Sequence, residues 1–271
     1  CTQKLRPIKA TVEISAQHLY GRKDTMLYSS DYFIFLIAIL LCMLISAIAS
    51  GKVRSAYSKY SRQPIRSGLS GCDTANRLLR YGGVSGISVG RIGGSLTDHY
   101  NPTRGSVNLS ESTYDGRSVA SAAVAAHEIG HVMQKQTGYG LYRIRTALVP
   151  VVNIGSRLSF PLVLIGLLLD GLAANADPDL GFHIALIGVI LYGGSFLFAL
   201  VTLPVELDAS RRAKEMLLES GILAEDEIPG ASKVLSAAAM TYLASLLTSL
   251  VYFLRFLVQV LTLFGRRDNR R

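Results

Sequence analysis

The run Ala125-Ala126-His127-Glu128-Ile129-Gly130-His131 carries two imidazoles four residues apart with a carboxylate beside the first. On a helix, residues at i and i+4 lie nearly one above the other, so His127 and His131 project from one face toward a common point. Two imidazoles placed this way can share a tetrahedral zinc ion. Glu128, one step further round, does not easily become a third ligand. It can reach a water on the open side of the metal, where a general base belongs. The chemistry is metal-assisted hydrolysis. Average residue usage produces this pattern by chance in roughly one chain in a hundred of this length. Its setting of small residues (Ala120, Ala123, Ala126, Gly130) is that of a packed helix over 118–136, not of a solvated charge cluster.

The elements that must position these groups are mostly apolar. Residues 32–50 hold no charge and would span about 28 Å as a helix, close to a bilayer core of about 30 Å. Further blocks cover 148–169, 182–203 and 237–264, the last interrupted by Arg255. This is a mainly α, multi-pass membrane protein, with the lipid bilayer as its first partner. The chain opens on Cys1, and Met26 would be a natural start before the first span. A signal peptide fits the first block poorly, and a lipoprotein cysteine conflicts with the basic tail that follows. Residues 1–31 are therefore read as a tail, of which 1–25 are non-native or disordered.

The net charge of +9 could indicate nucleic acid. No aromatic-interleaved basic stripe accompanies it, and no nucleic-acid partner is expected. Lys52, Arg54, Lys59, Arg62 and Arg66 follow the first span, and Arg211, Arg212 and Lys214 follow the third. By the positive-inside rule both segments are cytoplasmic and the N-terminus is outside. The loop 170–181 contains Asp170, Asp177 and Asp179 but no Lys or Arg, which fits the outer side. Arg266, Arg267, Arg270 and Arg271 in the tail 265–271 predict an inside C-terminus, whereas a fourth full span predicts an outside one. Cys1, Cys42 and Cys72 make no disulfide framework and read as free thiols.

Between the first two spans, residues 51–147 have soluble character. Asp73–Tyr81 reads as a helix stopped by Gly82-Gly83. Ser85–Ile92 reads as a strand turned by Gly93-Gly94, whose spacing does not match a dinucleotide fingerprint. Leu96–Pro102 and Ser106–Leu109 read as two more strands joined by a Pro/Gly turn. Arg143 and Arg145 mark the cytoplasmic edge of the second span.

Catalytic zinc takes three protein ligands and leaves one position for water. A histidine six residues past His131 would complete a three-histidine set, but Thr137 stands there and Gln134 replaces the glycine of that pattern. His183, Asp170, Asp177 and Asp179 fall on the wrong side of the membrane. What remains is Thr202–Arg212, where Pro204 suits the first turn of a helix running to about Ser220. Glu206 shares a face with Ala209 and Ser210, small residues that allow close approach to the motif helix. Glu206 is the leading third ligand and Asp208 the alternative; a carboxylate stabilised by a helix N-terminus is the structural alternative. Arg211, Glu215 and Glu219 read as the solvated face.

The chain resembles the bacterial membrane-bound neutral zinc metallopeptidase family. The resemblance rests on Leu96-Thr97-Asp98-His99-Tyr100-Asn101-Pro102, Ser118–Gln134, Thr202–Ala213 and Ala237–Tyr242, in order through most of Lys52–Leu257. It implies a multi-pass zinc peptidase whose small α+β zincin-like domain combines the H-E-x-x-H helix with short antiparallel strands. In zincins an edge strand lies beside the metal and pairs with an extended substrate, which draws in Asp98, His99 and Tyr100. His99 is read as a ligand or a hydrogen-bonded loop histidine, and Asp98 as a group orienting a metal-bound histidine. The layout is also similar to membrane gluzincins, which carry Glu-x-x-Ala-Asp; here Ser210 occupies the Asp place.

The reading that follows is a membrane metalloendopeptidase with zinc on His127, His131 and Glu206, Glu128 as general base, and a peptide or membrane-protein substrate. Its oligomeric state is open. A zinc-binding membrane scaffold without turnover would have no need of Glu128. A transporter would need ionisable residues or broken helices within its spans, where Arg255 stands.

Overall fold

The computed structural model describes the backbone of residues 6–172 and 180–268 and the side chains of 32–169 and 180–262. The chain divides into two compact units, Cys1–Met43 and Leu44–Arg271. The first element, α1, covers Arg6–Tyr60, so residues 6–25 have helical backbone. Cys1, Asp177 and Asp179, and the side chain of Asp170, lie outside the described residues.

α2 (Gly71–Tyr81) begins two residues before the expected Asp73. Ser70 caps it: the Ser70 hydroxyl accepts the Asp73 N–H while the Asp73 carboxylate takes the Ser70 N–H, a reciprocal capping box. The helix buries Thr74, Ala75, Leu78 and Leu79.

The sheet is made of β1 (Ser88–Ile92), β2 (His99–Asn101) and β3 (Ser106–Ser110), in the order β1-β3-β2. β1 starts later than the expected Ser85 because Gly86 takes a positive φ of 76°. β2 and β3 are antiparallel, as expected, but β1 pairs with β3 in parallel. The reason is topological: the chain reverses after β1 and again at the Asn101–Gly105 turn, so β3 regains the direction of β1. β3 takes the centre because its Val107 and Leu109 are fully buried.

A short helix, α3 (Glu111–Tyr114), leads to α4 (Val119–Gln136), the motif helix, capped by the Ser118 hydroxyl. α4 is buried on nearly every side, which its Ala-rich composition permits. Its Ile129 and Val132 join Leu78, Leu109, Leu217 and Leu223 in the main core.

The remaining helices are α5 (Gly140–Leu172), α6 (Leu180–Glu219) and α7 (Ile228–Asp268). Four helical stretches among the described residues are long and apolar enough to cross a membrane: Tyr32–Tyr60, Gly140–Leu169, Leu180–Glu219 and Ile228–Thr262. Large apolar side chains such as Ile154, Phe160, Ile187 and Ile190 are exposed on them, as expected where lipid is the solvent. Two expectations change. α6 runs unbroken through Pro204, so the third span and the Glu206 segment are one rod. Its missing N–H costs one i→i−4 hydrogen bond without ending the helix. α7 is already helical from Ile228, nine residues before the expected 237. Arg157 also lies inside a span, so Arg255 is not alone there.

Candidate metal centre

α4 supplies His127 and His131 and α6 supplies Glu206. The two imidazoles lie edge to face, with centroids 4.8 Å apart. Glu206 Oε2 is 3.0 Å from His127 Nε2 and 3.5 Å from His131 Nε2. One donor atom from each of the three residues lies within 4.8 Å of the others, so the set could hold a metal ion. Donors about 2.0–2.1 Å from a tetrahedral ion stand about 3.4 Å from each other, so one small dication would bridge these separations. The approach depends on Gly130, where an added Cβ would stand 2.5 Å from the Ala209 carbonyl oxygen.

A distance of 3.0 Å also suits an N–H···O hydrogen bond, and the groups behind the rings bear on the choice. Gln134 Nε2 donates to the Val205 carbonyl at 2.7 Å and to Asp208 Oδ2 at 3.0 Å. Its Oε1 therefore faces His131 Nδ1 at 3.0 Å and accepts a hydrogen bond from the Nδ1–H. In the tautomer with its proton on Nδ1, His131 turns its Nε2 lone pair toward the Glu206 carboxylate, and a cation between the two would satisfy both acceptors. Behind His127, the Ser210 hydroxyl lies 3.3 Å from Nδ1, within reach of a hydrogen bond that would fix the ring's orientation. Two imidazoles and a carboxylate are a donor set that suits zinc.

The other Glu206 oxygen, Oε1, is 3.2 Å from Arg145 Nη2, and Tyr242 lines the same cavity. Only 1% of Glu206 is exposed. Glu128 is buried beside it. Burial pushes its carboxyl up to about 7, opposed by His127 and the Tyr100 backbone N–H and reinforced by Glu206 and Asp98. A carboxyl in that range can take up and release a proton near neutrality, and a cation on the three ligands would draw it back toward the ionised form.

Glu128, Asp98, His99 and Tyr100 line the same cavity, of about 370 Å³, as the ligand set. Its walls are largely apolar, with Val124, Tyr142, Val234, Leu235 and Ala238 among them. His99 is not brought into the ligand set. Its Nδ1 is 2.9 Å from the Thr97 carbonyl and its Nε2 is 3.2 Å from Asn108 Nδ2, so it is a hydrogen-bonded histidine at the start of β2 rather than in a loop. Asp98 does not orient a histidine; its carboxylate accepts the Ser110 N–H and hydroxyl and pins β2 to the end of β3. Asp208 is held by Gln134, Arg211 and Arg212, so it supports Gln134 and is no ligand alternative. His183 stands 23 residues before Glu206 on α6, about 34 Å along the rod.

Gln134, Arg145 and Tyr242 also surround the three residues. Gln134 is legible in the sequence, being three residues past His131 on its own helix face. In the sequence Arg145 stands as one of two charges at the edge of a span, and Tyr242 lies in an apolar run that offers no sign of a polar role. The Tyr100 hydroxyl and Arg145 Nε are buried without a hydrogen-bond partner among the described residues, and both residues line the cavity.

With this geometry in hand, comparison with known proteins is informative. The family described as "Putative neutral zinc metallopeptidase" matches residues 34–261, and the chain belongs to it. The chain is 40% identical over 236 residues to the "Putative membrane protease YugP" of Bacillus subtilis (strain 168), covering 87% of this chain and 100% of that relative. No solved structure matches it.

Proposed function

We propose that this member of the neutral zinc metallopeptidase family is a membrane-embedded endopeptidase in which His127, His131 and Glu206 hold zinc and Glu128 is the general base. The observation that carries the reading is the meeting of two imidazole Nε2 atoms and Glu206 Oε2 beside a buried Glu128 that lines the same cavity. Zinc at such a site supplies Lewis acidity, lowering the pKa of water from about 15.7 toward about 7 and polarising the scissile carbonyl.

This chain's own groups do the rest. Gln134 and Ser210 hold the rings by Nδ1 so that Nε2 faces the centre, while Arg145 ties down Glu206. Glu128 takes the proton of the attacking water and returns it to the departing amine, leaving a free carboxylate and a free amine. Tyr100 and Arg145 line the apolar cavity and give an extended peptide polar residues to lie against. The basic segments around the site support a position at the cytoplasmic face of the cell membrane. Peptides or membrane-protein segments are the substrate class.

The test is Glu128→Gln in the full chain, read by zinc content and by comparing the membrane proteomes of cells carrying either form. Positioned proton transfer contributes about 10²–10⁴-fold, so hydrolysis should fall by that factor, a barrier rise of about 3–5 kcal/mol, with zinc retained. Undiminished proteolysis rejects the base assignment. Zinc bound to a wild-type protein that neither cleaves peptides nor binds hydroxamates supports the scaffold reading instead.

A further inference from the structure

A second groove, of about 420 Å³, lies between residues 52–60 of α1 and 232–240 of α7. Lys52, Ala56 and Lys59 form one stripe on α1, and Lys233, Ala237 and Met240 form the facing stripe on α7, each with helical spacing. The helices run in opposite directions here: Lys52 Nζ reaches Met240 Sδ at 3.8 Å, and Tyr60 packs against Gly230. Ser55, Ser232 and Ser236 add hydroxyls to the lining, and no carboxylate does. Lys52, Lys59 and Lys233 pair with no carboxylate among the described residues.

The groove's position along the spans identifies its occupant. Lys52 is the first charge after the uncharged run 32–51, and Lys233 is the last before the uncharged run 234–254. Both helices therefore leave the apolar layer at this groove. Its ammonium and hydroxyl groups lie at headgroup level, and Ala56, Ala237 and Met240 form an apolar floor. A ligand that satisfies both parts has an anionic phosphodiester head and acyl chains. We propose that the α1–α7 groove binds the headgroup of an anionic phospholipid. Val53 and Val234, each one residue on from a groove lysine, line the cavity of the metal centre. The lipid site and the catalytic cavity thus share a wall.

The experiment is native mass spectrometry of the full chain in detergent, titrated with phosphatidylglycerol, phosphatidylcholine or inorganic phosphate. Wild type should retain one phosphatidylglycerol, and the triple variant Lys52→Gln/Lys59→Gln/Lys233→Gln should bind it about tenfold more weakly or worse. A control with equal charge removed, Arg54→Gln/Arg62→Gln/Arg80→Gln, should bind like wild type. Ser236→Phe, which fills the groove without changing its charge, should also lose the lipid and guards against a triple variant that does not fold. Equal loss in the control triple, equal retention of phosphatidylcholine, or displacement of the lipid by millimolar phosphate would each overturn the proposal.

Discussion

Replacing Gly130 by alanine drives a methyl group into the backbone of α6. The new carbon would stand 2.5 Å from the Ala209 carbonyl oxygen, 3.1 Å from its carbon and 3.2 Å from its Cα. All three are main-chain atoms, so no rotamer change relieves the clash. Restoring ordinary contact requires α4 and α6 to part by nearly 1 Å, and overpacking of this kind costs about 1–3 kcal/mol. The consequence for function is larger, because Ala209 lies between Glu206 and Ser210. A displacement of nearly 1 Å is several times the tolerance of about 0.2 Å on a metal–ligand distance. Zinc affinity should fall about 10–100-fold, measured by competition with a chromophoric chelator, and the thermal midpoint should drop by several degrees. Gly51→Ala is the control, since nothing lies within 4 Å of a Cβ there. Wild-type zinc affinity and melting in Gly130→Ala would refute the claim that this contact sets the ligand geometry.

Three further outcomes follow from the same reasoning. Gln134→Leu removes the acceptor that holds His131 Nδ1–H and should weaken zinc binding about 10–100-fold with little change in helicity; unchanged affinity would show that the tautomer needs no such partner. Stripping the metal with a chelator should leave circular dichroism nearly intact but lower the thermal midpoint, because a ligand at 1,000 times its Kd stabilises by about 4 kcal/mol; an unaltered midpoint would mean that the folded state holds no metal. Ser70→Ala deletes the capping box of α2 and should cost about 1 kcal/mol, read as roughly fivefold faster amide exchange in the first turn of that helix.

Two kinds of information built this protein, and they divide by the distance over which they act. His127, Glu128 and His131 were legible because a helix places i and i+4 together whatever surrounds it. The spans were legible because twenty uncharged apolar residues have few other uses. Glu206 could be reached by elimination, helped by the small residues Ala209 and Ser210 on its face. The parallel pairing of β1 with β3, the passage of α6 through Pro204, and the fates of Asp98 and Asp208 depended on neighbours that the linear order does not name. So did the grip of Arg145 on Glu206, which joins α5 to a residue of α6. Local periodicity determined which groups are available, and only the packing of α4, α5, α6 and α7 decided their roles. A side chain's hydrogen-bond partners, unlike its helix face, belong to whichever rods come to lie against its own.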